Sequence, residues 1–329
     1  MIKLNNSDLV YCREFVLYRN YDRLLFNADS NENTSNSVYN EVKECLDSEF
    51  KELDLNNESD KDLLFKYNST LFTEELHSRY PYIKLFLKDN LLLLLNTDEH
   101  IELRYLEYDN KESIEKITLM LNKVINSFSK YSSFALEDGK YINSLKSHCG
   151  TGLFINTYLH LPILQMFNKI KDNDLLDNGF SISKEQNIDS NPICAMIKFS
   201  NVNSSYSHID EQITQYTSCI KELIADEINE HNKIFLSSQD VIKDKILKAF
   251  GIIKYSMFID DYEYISIFTF FRAASEFDII SLDVDQLDKI FRFIHNKTYF
   301  IENFEEACRK KSELLRQIIL PAISKNLED

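Results

Sequence analysis

YINSLKSHCGTGLFINTYLHLPIL, residues Tyr141 to Leu164, runs from a glycine-bearing turn straight into an apolar strand. Glycine reaches left-handed backbone that other residues avoid, so Gly150-Thr151-Gly152 reads as a tight turn. The same Gly-x-Gly spacing also occurs in phosphate cradles, and alone it does not separate the two. Leu153 to Leu161 then reads as a strand.

Upstream, KLFL from Lys84 and LLLLLN from Leu91 flank Lys88-Asp89-Asn90, two strands around a turn, and IELRYLEY alternates as a third. Connections this short imply antiparallel pairing. Ile114, Ile117, Leu121, Val124, Ile125 and Phe128 share one helical face. The polar stretch Leu24 to Asn57 predicts a mobile surface excursion with at most one helix. Downstream, Ile193 to Phe199 is strand-like. After His208 the period becomes helical, with a stripe from Ile209 to Ile224 and a new start behind Ser238 as N-cap. Further helices are predicted over Tyr262–Phe277, Asp285–His295 and Phe304–Leu320. The expected class is α+β: an antiparallel sheet flanked by helices, followed by a small all-helical C-terminal domain.

The chain has 329 residues, 44% of them hydrophobic, enough for one large domain plus a smaller one. Its 37 basic and 53 acidic residues give a net charge of -16, which argues against nucleic acid as a partner. The longest apolar run, Leu91 to Leu95, is too short to span a bilayer, and MIKLNNSDLV lacks a signal-peptide core, so no membrane role and a cytoplasmic location are expected. The six cysteines form no CxxC pair and predict free thiols rather than a metal or redox site.

The Tyr141–Leu164 segment resembles the active-site strand of ATP:guanido phosphotransferases, in which Gly-Thr-Gly-Leu-Arg is followed, in the bacterial protein-arginine kinases, by Leu-His-Leu-Pro. Gly150, Thr151, Gly152, Leu153, Leu159, His160, Leu161 and Pro162 carry the match. In the same order, LFTEELHSRYP, LLLLLNTDEHIEL and FSNVNSS look like the family's helix end, Asn-Glu-Glu-Asp-His-Leu-Arg loop and Leu-Ser-Asn-Gln strand end. The C-terminal part looks like the helical domain particular to protein-arginine kinases. The resemblance implies a catalytic-type domain over residues 1–232 and a helical domain over 233–329 that serves as an association surface for a homodimer. Phe250, Ile253, Phe258, Ile267, Phe268, Phe270, Phe271, Ile290, Phe291 and Phe293 are its expected apolar supply.

The resemblance also implies where the chemistry should sit. Phosphoryl transfer to a guanidinium needs cations around the triphosphate and carboxylates on the acceptor. The family's arginine-rich strand matches Cys12 to Asn20, putting two phosphate-binding arginines on Glu14 and Val16. The others fall on Glu102, Phe154 and, through a gapless alignment of Gly179 to Asn201, Ser183. The reactive cysteine falls on Leu145, one catalytic carboxylate on Asp98 and the second on Ile188. At about 1.5 kcal/mol per charged hydrogen bond, five lost arginines remove roughly 7 kcal/mol, about 10⁵-fold in nucleotide affinity. Arg13 and Arg104 stand near vacated positions, but a one-residue offset in a strand is expected to turn them to the other face.

Asp98, Glu99 and His100 read either as an acid/base or metal cluster or as a polar loop after a buried strand. His148-Cys149 reads as packed residues rather than a nucleophile and base, because strand neighbours face opposite ways. The family's C-terminal Arg-Asp-x-x-Arg pocket for phosphoarginine maps onto EEACRKKSELLR, with Ala307 and Cys308 at the Arg-Asp pair and Lys310 as its remnant. The expected function is that of a catalytically impaired pseudokinase without cofactor, regulating or binding a true arginine kinase, its adaptor or its protease machinery. The alternatives are a working protein-arginine phosphotransferase using ATP and Mg around Asp98 and Glu99, and a purely structural oligomer.

Overall fold

The protein is described from a computed structural model over residues 9–26, 32–67, 79–80, 82–108, 112–166, 169–170, 179–186, 192–235, 239–276, 279–298, 301 and 303–327. Expectations resting on Ile188, and most of LFTEELHSRYP, lie outside them.

In chain order the elements are β1 (Val10–Arg19), α1 (Glu32–Cys45), β2 (Lys51–Leu53), α2 (Glu58–Tyr67), β3 (Lys84–Lys88), β4 (Leu91–Leu95), β5 (Ile101–Glu107) and α3 (Ile114–Ser127). They continue with β6 (Leu136–Glu137), β7 (Lys140–Tyr141), β8 (Leu153–His160), α4 (Pro162–Met166), β9 (Phe180–Gln186), β10 (Pro192–Asn201) and α5 (Ile209–Phe235). Four helices follow: α6 (Gln239–Tyr255), α7 (Asp261–Glu276), α8 (Val284–Thr298) and α9 (Phe304–Leu327). An 8-stranded sheet has the order β2-β3-β4-β5-β1-β8-β10-β9, with each neighbouring pair antiparallel. The expected class is the observed one.

The sheet explains its own sequence. On one face Phe15, Leu17, Leu93, Leu103, Ile155, Ile197 and Phe199 form a core with Val38 and Val42 of α1, Ile117, Leu121 and Ile125 of α3, and Ile213, Tyr216 and Ile220 of α5. Ser113 caps α3, its side chain accepting from the Lys116 amide, in keeping with the helical face read there. The stretch Leu24–Asn57 differs from the mobile excursion expected of it. Buried Val38 and Val42 seat α1 on the sheet, and β2 adds an edge strand through Leu53, paired with Leu85.

A second core joins α6 to α9 around Ile253, Ile267, Phe271, Leu287, Ile294 and Leu315, and takes in Ile163 after β8, with Tyr11 of β1 packed against it. Of the large residues expected at an association surface, Phe250, Ile253, Ile267, Phe268, Phe271 and Phe291 are consumed by this core, while Phe258 and Phe293 remain exposed. Among the described residues no helix is long and apolar enough to cross a membrane.

Candidate functional site

The pleat of β1 turns Glu14, Val16 and Tyr18 to the face opposite Phe15 and Leu17. In register, Val16 lies between Arg104 of β5 and Phe154 of β8, Glu14 opposite Asn156, and Tyr18 opposite Glu102. Four of the positions expected for a phosphate cradle, Glu14, Val16, Glu102 and Phe154, therefore do meet on one sheet face. Ser183 lies farther along, exposed on β9 and paired in register with Lys198.

Their chemistry is a closed ion network. Arg104 Nη1 donates to Glu14 at 2.9 Å and its Nε to Glu102, while Asn156 Nδ2 donates to the second Glu14 oxygen at 2.9 Å. Both carboxylates are buried, Glu14 to 4% and Glu102 to 5% exposure. Arg104 thus departs from the expectation that it would face away: it stands two residues from Glu102, so the pleat brings the two to the same side. Arg13 behaves as expected, reaching Glu107 at 2.8 Å through Nε and the Glu112 carbonyl at 2.5 Å.

The glycine turn is held by packing. A side chain at Gly150, whose φ is +108°, would run into the Ser204 carbonyl, and one at Gly152 would stand 2.6 Å from the Tyr18 carbonyl oxygen. Thr151 donates to Gln212 at 2.6 Å and its amide to the Ser204 carbonyl at 2.8 Å. Beneath the turn Arg19 is fully buried, its guanidinium 3.4 Å from the Tyr141 ring centroid and donating to the Thr151 carbonyl at 2.9 Å; burial lowers its pKa to about 10. The glycines are needed because backbone and Arg19 crowd them.

Asp98, Glu99 and His100 face three different sets of partners. Asp98 is more than half exposed and pairs with Arg79 at 3.1 Å. Glu99 is wholly buried and accepts from Asn20 Nδ2 at 2.7 Å, the Ser144 amide at 2.7 Å, the Leu145 amide at 3.1 Å and His148 Nδ1 at 2.9 Å. Burial by itself pushes the Glu99 carboxyl up, but the His148 bond and the backbone amides outweigh it and hold it below the usual carboxylate range. His100 accepts from the Tyr21 amide at 3.0 Å and contacts the Leu25 carbonyl through Nε2 at 2.7 Å; burial pushes its imidazole down. Among the described residues no group of three or more His, Cys, Asp or Glu is placed to hold a metal.

Leu145, where the resemblance places the reactive cysteine, exposes its side chain and contributes only its amide to Glu99. His148, in a single 3₁₀ turn over Lys146–His148, stacks on Tyr18 with centroids 4.0 Å apart and planes 3° apart, and meets Phe154 edge-on at 5.1 Å. Sequence reasoning passed over the Glu99–His148 pair. The two stand 49 residues apart in sequence, and no local signal links them.

In the helical layer a cavity of about 470 Å³ is lined by Tyr11, Tyr264, Phe268, Phe291, Arg292 and Lys311, among others. Lys311, buried and paired with Asp261, lines it, whereas Lys310 is an exposed residue paired with Glu313 at 3.5 Å. The last arginine of Arg-Asp-x-x-Arg stands three positions after the aspartate, so an aspartate position at Cys308 maps that arginine onto Lys311 rather than Lys310.

No protein-family model matches the chain. It is 22% identical over 322 residues to the protein-arginine kinase of Clostridium botulinum, covering 94% of this chain and 93% of that protein. To the protein-arginine kinase of an Exiguobacterium species it is 23% identical over 198 residues, 59% of this chain and 56% of that one. Among solved structures, lombricine kinase superimposes with a TM-score of 0.57 at 15% identity over 70% of each chain. The substrate-free duplicated taurocyamine kinase of Schistosoma mansoni gives 0.55 at 19% identity over 69% of this chain and 35% of that one. Over nearly its whole length the chain is therefore a divergent relative in sequence of the bacterial protein-arginine kinases, built on the fold of the guanidino kinases.

Proposed function

We propose that this chain is a binding protein on the guanidino-kinase fold, a pseudokinase that engages protein partners without moving phosphate. The observation that carries this reading is the Glu14–Arg104–Glu102 network. Two buried carboxylates occupy cradle positions, and the guanidinium between them is committed to both. A triphosphate entering there would meet negative charge in a poorly screened setting and would have to break that network. Leu145 in place of a thiol and the exposed Asp98, tied to Arg79, support the same reading. Its expected partners are a true protein-arginine kinase, its adaptor or its protease machinery, in the cytoplasm. The helical region mediates homodimerisation. No cofactor is needed for this role.

Isothermal calorimetry of the full chain with Mg-ATP is the test. The expected result is no binding tighter than about 100 μM, the range of working enzyme sites. A 1:1 complex tighter than that would favour instead an active protein-arginine phosphotransferase with a rearranged nucleotide site around Asp98 and Glu99.

A further inference from the structure

His148 has a place in the site without a role in it. Its Nδ1 lies 2.9 Å from Glu99, and a buried, ionised carboxylate can only accept. In the neutral imidazole the proton therefore sits on Nδ1 and the lone pair on Nε2. Nε2 points across the ring away from Glu99, has no hydrogen-bond partner among the described residues, and belongs to a side chain that keeps 13% exposure. Tyr18 lies parallel to the ring and Phe154 stands edge-on to it. The cleft thus presents a fixed acceptor flanked by two aromatic rings.

The charges around it select what can dock. Three carboxylates, Glu14, Glu99 and Glu102, lie around Tyr18 against two guanidiniums, Arg104 between Glu14 and Glu102 and Arg19 buried at the Tyr18 carbonyl, a balance that disfavours an anion. A guanidinium seeks the two oxygens of a free carboxylate. None is free: Arg104 takes Glu14 and Glu102, and four donors saturate Glu99. A compact ammonium can give one N–H to a single lone pair, lie beside an aromatic ring and leave its other two N–H donors to water.

We propose that His148 Nε2, with Tyr18 and Phe154, forms a binding site for a primary alkylammonium, supplied by a free diamine or by a lysine side chain of a partner. The inference rests on the reading of this cleft as a binding surface, which the Mg-ATP titration tests separately. The ammonium donates to Nε2 and lies against Tyr18, and the site discriminates against guanidinium compounds because its carboxylates are already occupied.

The test is to titrate the full chain with cadaverine, with Nα-acetyl-lysine methylamide and with agmatine at constant ionic strength, following the His148 ring resonances by NMR. Cadaverine is expected to shift them saturably, and several-fold more tightly than agmatine. A lysine derivative that binds at least as well as cadaverine assigns the site to a partner's side chain; one that binds more weakly assigns it to a free diamine. His148 resonances that stay unmoved up to about 10 mM cadaverine, a free energy below about 3 kcal/mol, overturn the proposal, as does tighter binding of agmatine. His148→Phe keeps the ring and removes the acceptor. If it folds, it should lose the cadaverine response, and full retention of affinity would sink the idea; if it does not fold, the wild-type titration decides alone.

Discussion

His160 Nδ1 lies 2.8 Å from the Glu276 carboxylate, joining the end of β8 to α7 across 116 residues of sequence. The same carboxylate receives Arg272, whose Nε reaches Asp288 of α8 at 3.1 Å, and the whole group is buried. The histidine of the Leu-His-Leu-Pro segment therefore acts as a bolt between the sheet and the helical layer. Glu276→Ala would leave the buried Arg272 with Asp288 alone and take away the His160 partner, and should cost about 3–5 kcal/mol in urea unfolding. Glu276→Gln, which keeps an acceptor, should cost less. Equal and negligible losses would show that the network does not hold the layers together.

Glu227 of α5 caps the start of α4, accepting from the Ile163 and Leu164 amides at 2.9 Å each. Burial raises its pKa from 4.5 to about 8, with the two amides partly opposing the shift. A carboxyl that binds its proton more tightly when folded contributes stability that is complete below about pH 4.5. That stability is lost progressively as pH rises from there through 8, by up to about 5 kcal/mol. Chemical denaturation at pH 5 and pH 8.5 should show this loss in the wild type and a flatter profile in Glu227→Gln. Parallel profiles would refute it.

Glycine substitutions should separate crowding from backbone freedom. Gly150→Ala forces a methyl against Ser204 at a φ of +108° and should lower stability by about 2–4 kcal/mol. Gly251, inside α6 with nothing within 4 Å of an added Cβ, should gain about 0.5–1 kcal/mol when changed to Ala. Thermal melts of the two variants read out the contrast.

Self-association, if the helical region mediates it, must use what the second core leaves outside. Tyr255, Met257, Phe258, Tyr262 and Phe304 are the large exposed residues around the α6–α7 connection and the start of α9. Light scattering at about 50 μM, well above a typical specific dimer's dissociation constant, should give a dimer. The Met257→Glu/Phe258→Glu double variant should give a monomer. A monomeric wild type would end the proposal.

Local sequence was enough for the parts that depend on period and turn chemistry. The short apolar runs Lys84–Leu87 and Leu91–Leu95, the alternation of Ile101–Tyr108, the stripe from Ile114 to Phe128, and the helical repeat after His208 each set an element, because run length and period match those of strand or helix. The spacing of Gly150-Thr151-Gly152 and Leu159-His160-Leu161-Pro162 carried the family resemblance. Residues 24–57 misled because α1 and β2 contribute only a few apolar side chains, and their burial is supplied by a sheet built from distant strands. The site was legible only as a set of absences: no local pattern announces that Glu99 meets His148 or that Glu14 and Glu102 share Arg104. The first pairing joins the β4–β5 connection to the 3₁₀ turn before β8, and the second was decided by antiparallel register. Register sets which residues of β1, β5 and β8 stand side by side, and it is a property of the assembled sheet rather than of any one strand.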